Sequence, residues 1–94
     1  MKVGIAWYDK VQWELLPAFA ADRHALDNSF EEWERNAIAA ESEIRAAGLS
    51  PERVFVVVSS WVAWCTDNGE PLTSASRTKY AIELLRAANL RGKV

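Results

Sequence analysis

The chain has 94 residues, 50% of them hydrophobic and 26% charged, with a formal net charge of −2. That composition excludes a disordered chain and the length leaves room for one domain, residues 1–94. A lone cysteine (Cys65) and a lone histidine (His24) exclude an internal disulfide and a structural zinc site, and no apolar run approaches the roughly 20 residues of a membrane span.

The first element is Val3-Gly4-Ile5-Ala6-Trp7-Tyr8, a short apolar run that reads as a buried strand. Asp9 and Gln12 have capping-box spacing and open a helix through Leu16, which Pro17 is expected to end or kink. Residues 18–28 leave room for one more helical turn before Asp27-Asn28. A second capping box, Ser29 with Glu32, opens the clearest element. Phe30, Trp33, Ala37, Ala40, Ile44 and Ala47 form an apolar stripe, Gly48 closes the helix, and Glu31, Glu32, Glu41 and Glu43 read as its solvated faces. Arg53–Val58 is β-branched and uninterrupted, which predicts a second strand covered on both faces. Ser59 or Ser60 is placed to cap a short helix ended by Gly69, and Thr73 or Ser74 caps a final helix reaching about Leu90. Its apolar residues cover more than half its circumference. The endings Ile44–Leu49 and Leu85–Leu90 match, with Asn89 in the place of Gly48, so duplication and independent helix-ending chemistry are both open.

The expected fold class is therefore α/β, in the order β-α-α-β-α-α, with two short parallel strands packed against amphipathic helices. A sheet of two strands leaves polar edges. A third strand is expected from the segment near residues 91–94 or from another subunit, the simplest solution being a homodimer that extends the sheet.

Charge is uneven: residues 1–52 carry five basic and ten acidic side chains, and residues 53–94 carry six and three. The later basic residues are too sparse, and the pI of about 5.4 too low, for a nucleic-acid surface. Two halves that attract each other fit better.

Ligands of open α/β sheets bind beyond the carboxyl ends of the strands. That rule singles out Trp7-Tyr8-Asp9 and Ser59-Ser60-Trp61, each beside a helix N-terminus. The candidate ligand-binding residues are Trp7, Tyr8, Asp9, Trp13, Ser59, Ser60, Arg77 and Tyr80, weighed against plain capping by Asp9 and the serines. Arg77 and Tyr80 could jointly meet a carboxylate, or Arg77 could pair with the acidic first half. Of the five tryptophans, Trp33, Trp61 and Trp64 read as core, while Trp7 and Trp13 are the candidates for exposure. No catalytic residue, metal site or cofactor is expected. Cys65 in its Trp-Val-Ala-Trp surroundings reads as a buried thiol.

Taken together, Ile5-Ala6-Trp7-Tyr8, Trp13-x-x-Leu16, Ala21-Asp22, Phe30-Glu31-Glu32-Trp33, Ala63-Trp64-Cys65 and Arg77-x-x-Tyr80 resemble a group of small uncharacterised, hypothetical bacterial proteins. The resemblance spans nearly the whole chain and implies no established activity. In that group acidic residues stand around positions 57, 59 and 60, where this chain has Val57, Ser59 and Ser60. The gathering of the motifs at the strand ends favours a shared surface there. The resulting expectation is a non-catalytic, cytoplasmic, homo-oligomeric binding module for a protein partner or small ligand, without nucleic acid or membrane. The alternative is an enzyme or sensor for a small anionic molecule at the strand ends.

Overall fold

The computed structural model describes residues 1–91. The elements are β1 (Lys2–Trp7), α1 (Lys10–Phe19), one turn of tighter helix (Arg23–Ala25), α2 (Phe30–Ala46), β2 (Ser50–Phe55), α3 (Val58–Asn68) and α4 (Ser74–Arg91). This is the expected α/β order, and β1 and β2 pair in parallel from Lys2↔Ser50 to Trp7↔Phe55. Residues 92–94, weighed above as a source of a third strand, lie outside the described residues. No helix among the described residues is long and apolar enough to cross a membrane.

α2 covers the sheet face carrying Trp7 and Arg53, while α4 covers the face carrying Gly4. A Cβ at Gly4 would lie 3.2 Å from Leu85 Cδ2 and 3.8 Å from the Ala81 carbonyl. Glycine therefore sets how closely α4 approaches β1. α1 and α3 pack at the carboxyl ends of the strands, where Leu16, Val58 and Trp61 are completely buried.

The second strand lies three residues earlier than its β-branched run suggests. Val56 still donates to the Trp7 carbonyl at 2.9 Å, but Val58 opens α3 because its N–H is taken by the Gln12 side chain at 2.8 Å. Nor is β2 covered throughout: Phe55 is 61% exposed. Pro51 is tolerated because Ser50 and Val56 both donate to β1, so the even residues of β2 carry the ladder and Pro51 has no donor to lose.

Other expectations also shift. α1 runs two residues past Pro17, with the Ala20 N–H closing on the Leu16 carbonyl at 2.8 Å. Proline in the last turn forfeits one bond without stopping the chain. Asn89 is helical and no non-glycine residue among the described residues has positive φ, so the matched endings are not two copies of one cap. Glu41, read as a solvated face, is 4% exposed and clamps Arg53 through two bonds of 2.8 and 3.0 Å, with Arg53 stacked 3.9 Å over Trp7. The Arg53 hydrogen bonds hold the Glu41 carboxyl below the usual glutamate range, against the opposing effect of its desolvation. The acidic and basic halves thus attract each other within one chain.

Candidate functional site

A cleft of about 290 Å³ opens along the free edge of β1, roofed by the loop that carries the tighter helical turn. Each wall has a local cause. Ile5 and Ala6 come from the strand itself. Trp13 is presented by α1, which Asp9 starts by accepting the Gln12 N–H at 2.8 Å. Trp33 comes from the first turn of α2, fixed by Ser29 accepting the Glu32 N–H at 3.1 Å. Ser74, Arg77 and Thr78 come from the start of α4, where Thr73 and Ser76 cap each other: the Ser76 hydroxyl accepts the Thr73 N–H at 3.1 Å and the Ser76 N–H reaches Thr73 Oγ1 at 3.5 Å. Leu26 and Asp27 close the roof.

The aromatic wall is one packed group. Trp33 stacks on Trp13 at 5.4 Å between centroids and meets Tyr8 edge-on at 5.2 Å. Beside it lies a polar cluster of partly buried Asp22, buried Arg77 and the exposed helix start at Ser74. The Asp22 carboxylate accepts the Ser74 N–H at 2.9 Å through one oxygen and the Arg77 guanidinium at 3.3 Å through the other. Burial opposes the charge on Asp22, but the Ser74 amide and the Arg77 guanidinium outweigh it and hold the carboxyl below the usual aspartate range. Burial pushes the Tyr8 phenol up to about 12 despite the neighbouring Arg77, so Tyr8 stays a neutral hydroxyl through the physiological range. Ala21 donates to the Leu72 carbonyl at 2.8 Å, pinning the same loop to the approach to α4.

Of the residues singled out from sequence, the fold brings Tyr8, Trp13 and Arg77 together in this cleft. It does not bring the others. Trp7 is buried between Trp33, 5.2 Å away, and Arg53. Asp9 is an exposed helix cap. Ser59 and Ser60 cap nothing: α3 starts one residue earlier without a side-chain cap of its own, and both serines are exposed on it. Tyr80 is buried against Trp64 at 5.6 Å and does not line the cleft. Trp61 is completely buried, as expected, but Trp7 and Trp13 are also buried, at 3% and 6% exposure, while Trp33 is only half-buried and faces the cleft. Cys65 is buried, as expected, with Sγ 3.5 Å from Ser76 Oγ. His24 is exposed on the roof turn.

Asp22, Asp27, Trp33, Ser74 and Thr78 were not marked as site residues by any spacing. Asp22 meets α4 across more than 50 residues of sequence, a distance no local pattern spans. Only the Ala21-Asp22 pair among the shared motifs pointed to it. No family model, curated protein or solved structure matches the chain.

Proposed function

We propose that the protein is a non-catalytic binding module that holds a small molecule in the cleft beside β1 and works as a homo-oligomer. The observation that carries the reading is the cleft itself: a concave, aromatic-walled space with converging polar groups, beside the carboxyl-terminal half of β1. Binding is favoured over catalysis because the reactive groups nearby are tied down. Arg77 and Asp22 neutralise each other, and the Tyr8 phenol is held neutral.

The homo-oligomeric part rests on the other edge of the sheet. The main chain of Arg53 and Phe55 points outward there, with the side chains of Phe55 and Val57 61% and 49% exposed. A bacterial cytoplasm is proposed as the setting, on the single buried thiol and the sequence likeness described above.

The test is amide and indole NMR of the purified chain titrated with small aromatic fragments, alongside native mass spectrometry. Shifts are expected to concentrate on Ala6, the Trp33 indole and Thr78, and to vanish in Thr78→Trp, which fills the mouth of the cleft from an exposed position. Phe55→Glu is expected to return a dimer to monomer. Shifts centred on Ser59 and Ser60, or surviving Thr78→Trp, would place the ligand elsewhere. A wild-type monomer would remove the oligomeric half.

A further inference from the structure

The free edge of β1 gives the cleft its selectivity. In this ladder the Met1 and Trp7 carbonyls accept from Ser50 and Val56, so odd residues of β1 face β2. Ala6 is even, and its N–H and C=O both point away from β2, on the side where Ala6 lines the cleft. Among the described residues no loop or side-chain group takes either of them. Together they form an adjacent donor and acceptor, the arrangement that a strand residue offers to an amide opposite it.

The positive charge in the cleft, by contrast, is already used. Asp22 occupies both anion-binding features of α4, the Ser74 N–H at the helix start and the Arg77 guanidinium. An incoming carboxylate would have to displace Asp22 or sit beside it, and two carboxylates sharing one site repel. Asp27 on the rim adds a further acidic group, partnered at 3.2 Å by Asn36. Apart from Asp27, whose charge repels an anion, what remains open to a ligand is uncharged: the Ala6 edge, the Thr78 hydroxyl and the apolar walls of Trp33, Ile5 and Leu26.

Resting on the reading of the cleft as a ligand site, we propose that it takes a small, flat, uncharged molecule with an amide-type edge, a carboxamide or lactam ring. Its N–H and C=O pair with Ala6 while its ring lies against Trp33. At about 290 Å³ the cleft is at the small end of ligand pockets, which limits the occupant to roughly one ring system.

Benzamide and benzoate test this directly, since they share a shape and differ in charge and hydrogen-bonding edge. In NMR titrations of the wild-type chain, benzamide is expected to shift the Ala6 amide and the Trp33 indole with an affinity about tenfold or more above that of benzoate. Asp22→Asn frees Arg77 and is expected to narrow or reverse that preference, and an unchanged preference in a folded Asp22→Asn protein counts against the proposal. If that variant does not fold, the wild-type comparison and Thr78→Trp decide alone, because Thr78 is exposed. Benzoate binding in the cleft as tightly as benzamide overturns the neutral-amide class while leaving the binding module intact. Neither probe binding in the cleft, or both unaffected by Thr78→Trp, overturns the class and the binding reading together.

Discussion

The two strand-to-helix turns of this chain have the same parts and opposite outcomes. After β1, Tyr8 and Asp9 lead into α1, and the space beside the end of the strand stays open as a cleft. After β2, Val56 and Val57 lead into α3, and the space beyond is filled by Trp61, whose exposure is 0%. The difference arises from what α4 presents to each. Ser76 turns toward α3, where its hydroxyl accepts the Trp61 Nε1–H at 3.2 Å and donates to the Thr73 carbonyl at 2.9 Å. Arg77, the next residue, lies over the Trp61 ring at 5.3 Å and reaches Asp22 beside β1, whose carboxylate stays partly exposed. The cleft lies where the charged pair beside β1 is only partly covered, with Arg77 at 8% and Asp22 at 23% side-chain exposure.

Trp61→Ala should break the comparison most strongly. It empties a fully buried position and leaves Ser76 short of a partner, so a loss of about 4 kcal/mol or more is expected in urea unfolding. Trp33→Ala, at the half-buried wall of the cleft, should cost clearly less stability yet abolish fragment binding. Equal losses for both variants would mean that the two turns are a single core.

Alkaline titration sharpens the contrast at the first turn. The folded Tyr8 phenol titrates at about 12 against about 10 in an unfolded chain, so its contribution is fully present below pH 10. That contribution, up to roughly 3 kcal/mol, should fade as the pH rises from 10 toward 12. In Tyr8→Phe the fall should be shallower and one late tyrosinate transition should disappear, as followed by absorbance and thermal melts. Asp22 acts with the opposite sign. Its depressed folded value gives stability present above the ordinary aspartate range, about 4, and lost as the pH falls through its folded value.

Element order was legible in the sequence because hydrophobic period and capping are local. Ser29 with Glu32 and Asp9 with the Gln12 N–H sit where the spacing puts them. Two of the errors share one cause, a long-range partner overruling a local preference. Gln12 pulls Val58 out of its β-branched run and into a helix, and Arg53 draws Glu41 inward on a face whose periodicity favours Ala40. Of the cleft, Tyr8, Trp13 and Arg77 were legible as residues at or near strand and helix ends. Asp22 was not, since nothing nearby in sequence says that its carboxylate will serve a helix beginning at Ser74.

The smallest expected effect decides which residue owns the second turn. Had Ser59 or Ser60 capped α3, removing its hydroxyl would cost about 1 kcal/mol. Both are instead exposed within the helix, where alanine has the better propensity, so Ser59→Ala and Ser60→Ala should each shift stability by no more than about 0.5 kcal/mol, and in the stabilising direction if at all. The capping cost should appear 46 residues upstream in sequence, at Gln12. Gln12→Ala leaves the Val58 N–H without its acceptor inside a buried segment, at a cost of about 1–3 kcal/mol, and amide exchange at Val58 should accelerate. Gln12→Glu, which keeps an acceptor oxygen and adds a negative charge at a helix N-terminus, should retain most of the stability. If either serine variant costs more than Gln12→Ala, the second turn is capped from within like the first, and the asymmetry between them is gone.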